Sequence, residues 1–137
     1  MIYLDASAVL RFLLREAGAL RELRVLDAAV SSALLRVEIQ RTLDRLRVER
    51  RAPPEDLDVR QADLARLLEG IDLVGVDEIV LERAAHPMPL PLGTLDAIHL
   101  ATALLWRERT RDEVVMATHD VALARSARLF GLPVIGA

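Results

Sequence analysis

Four carboxylates spread along nearly the whole chain stand where chemistry could be done: Asp5, Glu38, Asp96 and Asp120. Asp5 ends the apolar run Met1-Ile2-Tyr3-Leu4, and Asp120 follows the run Val114-Val115-Met116-Ala117 by three residues. Asp96 opens the stretch Asp96-Ala97-Ile98-His99-Leu100-Ala101-Thr102-Ala103, and Glu38 lies one turn into a long helical pattern. Gathered by one fold, these acids would form a hard-oxygen cage suited to Mg²⁺ or Mn²⁺ rather than to zinc. Such a cage suits the hydrolysis of phosphodiesters. That reaction needs water activated near neutral pH and an electrophilic clamp on the scissile phosphate. Repulsion among the acids is tolerated there because the bound ion is the largest charge present. No cysteine, lysine or histidine is required.

Each acid also has an ordinary structural role open to it. Asp5 and Asp120 can cap the helices that follow them, and Asp96 can be a first-turn acid favoured by the helix dipole. Glu38, between Val37 and Ile39, can simply be solvated; the joint pattern, rather than any one residue, points to a site. His99 lies three residues beyond Asp96 and reads as a partly buried packing residue that could touch the site. His119 beside Asp120 is either a surface residue or a phosphate contact, and His86 reads as loop. The three histidines have no zinc-ligand spacing. Arg41, Arg45, Arg47, Arg50 and Arg51, with Asp44 and Glu49 among them, read as a solvated, salt-paired helix face.

The elements that must position the acids follow from the pattern. Ile2–Leu4 is a strand with the continuous apolar character of buried parallel strands. Ala6–Arg15 is a helix capped by Asp5 or Ser7 and broken by Gly18, and Ala19–Leu26 is a second helix. A strand at Ala28–Ser31 precedes a long helix from Ser32 to Arg51, which Pro53-Pro54 ends; the next helix covers Glu55–Leu68. Ile71–Val76 is a strand, Asp77–Ala85 a short helix, and His86–Pro91 a rigid loop. Thr94–Arg107 is helical, Glu113–Ala117 a strand, Val121–Phe130 a helix, and Pro133–Ile135 a last strand. Strands alternating with helices predict an α/β fold with a mostly parallel sheet. In such sheets the functional crevice lies at the carboxyl ends of the strands, which is where Asp5 and Thr118-His119-Asp120 arrive.

Composition bounds the rest. The 137 residues suit one domain, 1–137, with one core. Hydrophobic residues are 53% and aromatics only 3%, so that core must be built of Leu, Val, Ile and Ala. With no cysteine, disulfides, thiolate zinc sites and cysteine nucleophiles are excluded, which fits a cytoplasmic protein. No secretory signal or spanning segment is read, so no membrane partner is expected. All eighteen basic residues are Arg, so chemistry that needs lysine is excluded. The net charge of −3 is unusual for a nucleic-acid protein, but the four clustered acids would account for it and divalent metal would cancel them.

These residues resemble the PIN-domain ribonucleases, in particular the VapC-type toxins of toxin–antitoxin pairs. Ile2-Tyr3-Leu4-Asp5-Ala6-Ser7-Ala8 looks like their opening, and Leu95-Asp96-Ala97-Ile98-His99-Leu100-Ala101-Thr102-Ala103 is similar to their most specific segment. Thr118-His119-Asp120, Val37-Glu38 and the ending Gly131-Leu132-Pro133-Val134-Ile135 are similar too, in order and spacing. The resemblance implies a PIN-like fold, with a central sheet of about four or five strands flanked by helices. It implies a Mg²⁺- or Mn²⁺-dependent endoribonuclease acting on RNA, dimeric, and silenced by a small cognate antitoxin. On the same ground Asp5 and Asp96 would be direct metal ligands, with Glu38 and Asp120 completing the site directly or through water. Ser7 and Thr118 would be hydrogen-bonding groups behind them. His119 departs from the family pattern, where a small or polar residue is usual. A PIN-like RNA- or protein-binding module without catalysis is the alternative. A phosphoacceptor receiver domain and a haloacid-dehalogenase-like phosphatase both require a lysine that is missing. The apolar content of the helices Ser32–Arg51 and Glu55–Leu68 separately predicts a homodimer.

Overall fold

The computed structural model describes all residues from Met1 to Ala137. Five strands run β1 (Ile2–Leu4), β2 (Ala29–Ser32), β3 (Ile71–Val74), β4 (Val115–Ala117) and β5 (Val134–Ile135). Six α-helices connect them: α1 (Ala6–Leu13), α2 (Leu34–Val48), α3 (Pro54–Leu68), α4 (Glu78–Ala85), α5 (Thr94–Thr110) and α6 (Val121–Leu129). The strands form one sheet in the order β3-β2-β1-β4-β5, and every pairing is parallel. The chain winds outward from β1 to β3 on one side, then crosses back to β4 and β5 on the other. The order therefore reverses between β1 and β4, and at such a switch point the carboxyl ends of adjacent strands open a crevice. The register pairs Leu4 with Ala117, so Asp5 and Thr118 leave the sheet side by side.

Alternation along the strands divides the core into two layers. Leu4, Ala29 and Ala117 pack with Val9, Leu35 and Ile39 on the face covered by α1, α2 and α3. Tyr3, Val30 and Met116 pack with Leu100, Leu104 and Leu123 on the face covered by α5 and α6. α5 is buried without interruption from Ala97 to Leu104, which explains why its sequence lacks an amphipathic stripe. No helix is long and apolar enough to cross a membrane.

Several element bounds differ from the sequence expectation, each for a local reason. α1 stops at Leu13, and Arg15 turns the chain with φ +55. The segment expected as a helix from Ala19 to Leu26 is instead a 3-10 turn over Arg21–Val25. It anchors only Leu23 fully in the core, too little for an α-helix of that length to stand on its own. α2 begins at Leu34 because Ser32 is still paired with Val74 in the sheet, and Ser32 Oγ accepts the Leu34 N–H. β3 ends at Val74 and β4 begins at Val115, both shorter than expected. α5 runs on to Thr110 and closes on Arg111 in the left-handed conformation, φ +59.

Candidate active site

At the β1–β4 switch point the chain places Asp5, 4% exposed, at the N-cap of α1. Its Oδ2 accepts from the Ser7 N–H at 3.2 Å, from the Ser7 hydroxyl, and from the Thr118 hydroxyl at 2.8 Å. Thr118, fully buried at the end of β4, also accepts the Asp120 N–H at 2.9 Å. Ser7 Oγ accepts the His119 N–H at 2.9 Å. Two short hydroxyl side chains thus stitch the ends of β1 and β4 together through one carboxylate oxygen. None of these bonds goes to Asp5 Oδ1.

The other acids repeat that division of labour. Asp120 caps α6, its Oδ1 accepting the Leu123 N–H at 2.7 Å, and its Oδ2 stays open. Glu38 projects from the second turn of α2, and its Oε2 lies 2.6 Å from His99 Nε2. Its Oε1 stays open. Asp96, in the first turn of α5, makes no side-chain hydrogen bond. Partial burial, then the charges of Asp120 and Asp5, push the Asp96 carboxyl up to about 6; His99 opposes the shift and Glu38 adds to it. All four acids therefore share one field.

The helix-capping role expected for Asp5 and Asp120 is seen in both, and each cap leaves the second carboxylate oxygen free. Glu38 is not solvated: its side chain is 19% exposed and tied to His99. As placed, no three of the acidic and histidine side chains enclose a common point at ligand distance. The acids form an open array, with His99 Nε2 standing between Glu38 and Asp5. In kind the donors fit a hard divalent ion. Each acid offers a free oxygen, and of the two causes that raise Asp96, burial and the charges of its neighbours, a cation would relieve the second.

Two further residues lie against the acids: His99, expected as a partly buried packing residue that could touch the site, and Tyr3, which the sequence reading did not single out. His99 is fully buried, and its Nε2 also stands 3.9 Å from an Asp5 oxygen. Tyr3, likewise buried, reaches His99 Nδ1 with its hydroxyl at 2.9 Å. The signal for His99 was its i+3 spacing from Asp96; for Tyr3 there was none beyond its place two residues before Asp5. His119 turns its Nδ1 to Gly136 O at 2.7 Å, with Arg11 at 3.4 Å. His86 is exposed in the proline-rich loop. α2 ends at Val48 rather than at the expected Arg51; on it Arg41 and Arg47 pair with Asp44, and just beyond it Arg51 pairs with Glu49.

Comparison with known proteins agrees with this geometry. The family model described as "PIN domain" matches residues 2–129, a span that includes all four acids. Ribonuclease VapC46 of Mycobacterium tuberculosis is 38% identical, over 98% of this chain and 95% of its own length. Ribonuclease VapC47 of the same organism is 34% identical over 96% and 93%, and Ribonuclease VapC35 is 32% identical over 98% and 96%. With a family match over nearly the whole length and VapC relatives aligned end to end, the chain belongs to the PIN-domain family, among its VapC-type members.

Proposed function

We propose that this chain is an endoribonuclease that hydrolyses RNA phosphodiester bonds at the carboxyl ends of β1 and β4, as the toxin of a toxin–antitoxin pair. The observation that carries the proposal is the split use of the carboxylates: Asp5, Glu38 and Asp120 each spend one oxygen on structure and leave the other open beside Asp96. Asp5 and Asp96 are assigned as direct ligands of Mg²⁺ or Mn²⁺, and Glu38 and Asp120 as ligands directly or through water. Ser7 and Thr118 hold the Asp5 carboxylate by Oδ2, so its free oxygen is aimed without a search over rotamers. When bound, the ion supplies water activated near neutral pH and charge neutralisation on the phosphate. The residues do the rest. The capped helices α1 and α6 keep Asp5 and Asp120 rigid against the repulsion that acts between them and Asp96.

The same reading extends to partners. A small antitoxin is proposed to silence the site by setting an arginine among the acids, where a guanidinium pairs bidentately with carboxylate. Exposed apolar residues on α2 and α3 (Val37, Val48 and Val59) are compatible with a second copy of the chain, and light scattering decides that point. The ribonuclease proposal is tested by stripping the purified chain with chelator and adding back single ions against a defined RNA. Cleavage that returns with Mg²⁺ or Mn²⁺ supports it; undiminished cleavage in chelator overturns it.

A further inference from the structure

Hydrolysis by carboxylates does not use Tyr3 or His99, yet both are fully buried between the sheet and α5, directly behind the acids. Their rings meet edge to face, with centroids 5.9 Å apart and planes at 81°. Tyr3 Oη stands 2.9 Å from His99 Nδ1, and His99 Nε2 stands 2.6 Å from Glu38 Oε2. For a neutral imidazole facing an ionised Glu38, donor accounting sets the direction of these bonds. A carboxylate only accepts, so Nε2 must carry the hydrogen. In the neutral ring Nδ1 is then an acceptor, and the hydroxyl of Tyr3 is the donor that meets it. Burial keeps that phenol un-ionised.

The relay joins three elements of the site. Tyr3 lies on β1 two residues before Asp5, His99 lies on α5 one turn after Asp96, and Glu38 belongs to α2. α2 is otherwise free to let its glutamate reach solvent, since both Arg36 and Val37 on the same turn are exposed. A flexible glutamate left to itself would lose rotamer freedom each time it joined the acids. Resting on the ribonuclease assignment above, we propose that Tyr3 and His99 are positioning residues. The Glu38 carboxylate sets His99 as its Nε2–H tautomer, the phenol of Tyr3 donates to Nδ1 and fixes the ring, and the Nε2–H holds Glu38 beside Asp5, so that the pair governs divalent-ion affinity.

Three measurements test the relay. In the metal-free protein, ¹⁵N–¹H correlation of the imidazole should report His99 as the Nε2–H tautomer, and in Tyr3→Phe the tautomer should persist while the Nε2 proton exchanges with solvent faster than in wild type. Calorimetric titration with Mn²⁺ alone should show affinity falling ~10-fold or more in Tyr3→Phe and His99→Leu, the size seen when groups behind metal ligands are removed. His99→Gln, whose amide N–H can still reach Glu38, should recover part of that loss. RNA cleavage at saturating Mn²⁺ should fall less than the affinity does. A folded Tyr3→Phe protein with wild-type exchange of the Nε2 proton and wild-type Mn²⁺ affinity overturns the proposal. So does a loss in His99→Leu that His99→Gln does not recover, since that is what packing alone would give. Asp96→Asn separates the two claims. Full cleavage by that variant defeats the ribonuclease site, whereas an inactive Asp96→Asn beside unaltered Tyr3→Phe defeats the relay only.

Discussion

Neutralising Asp96 should stabilise the metal-free protein, and only above a defined pH. In the folded chain burial and the neighbouring acids hold Asp96 near 6, against 3.8 for the unperturbed group. The folded state therefore binds this proton more tightly than the unfolded state, and stability falls as pH rises between about 4 and about 6. Below that window both states are protonated and the cost vanishes; above it the whole cost is present. A shift of about two units is worth at most about 3 kcal/mol. Asp96 is only partly buried, and screening by solvent reduces this to about 1 kcal/mol. No hydrogen bond is lost on substitution, because the Asp96 carboxylate makes none. Asp96→Asn should thus raise the melting temperature at pH 7.5 in chelator by roughly 2–6 °C for a chain of this size. The gain should disappear at pH 4. Saturating Mn²⁺ should reverse the order, since ~100-fold excess over Kd stabilises the ion-binding protein by about 2.7 kcal/mol. Differential scanning calorimetry at the two pH values decides it. An Asn variant no more stable than wild type at pH 7.5, or equally favoured at pH 4, refutes the shared field among the acids.

Other perturbations have equally definite outcomes. Thr118→Val removes the hydroxyl that donates to Asp5 Oδ2 and accepts from Asp120. Urea unfolding should show a loss of about 1–3 kcal/mol for these buried bonds, and Mn²⁺ affinity should fall ~10-fold or more; an unchanged affinity would separate Thr118 from the site. Gly136→Ala should destabilise the chain by about 1–3 kcal/mol. Its φ is +98, and a Cβ there would come within 2.5 Å of Thr118 O; unaltered thermal melting would contradict that close approach. Ca²⁺ should bind without supporting turnover, because its larger and looser coordination misplaces the attacking water. Cleavage in Ca²⁺ as fast as in Mg²⁺ would argue against an octahedral requirement.

What the sequence reveals and what it hides have physical reasons. Asp5 and Asp120 could be assigned to one edge because strand and helix alternate, and parallel strands must all deliver their carboxyl ends to the same side. Asp96 was legible from its own segment, whose eight buried residues after it leave little freedom in how α5 lies. The Glu38–His99 bond was not legible. It spans 61 residues and depends on how α2 leans toward α5, which no local spacing encodes. The 3-10 turn at Arg21–Val25 was misread for a similar reason: periodicity over so few residues cannot tell how many will find a core to bury in. The closed cage expected of the acids became an open array because hydrogen bonds to Ser7, Thr118, Leu123 and His99 claim one oxygen from three of them.

The central claim is that one acidic array at the β1–β4 switch point cuts RNA, and single-turnover cleavage by Asp5→Asn tests it most directly. The substitution keeps an acceptor for Ser7 and Thr118 and the helix cap while removing the charge at Oδ1. With saturating Mn²⁺ and circular dichroism matching wild type, the cleavage rate should fall by at least ~100-fold, since loss of a ligand costs no less than loss of the groups behind it. A folded Asp5→Asn protein that cleaves RNA at the wild-type rate would contradict the account.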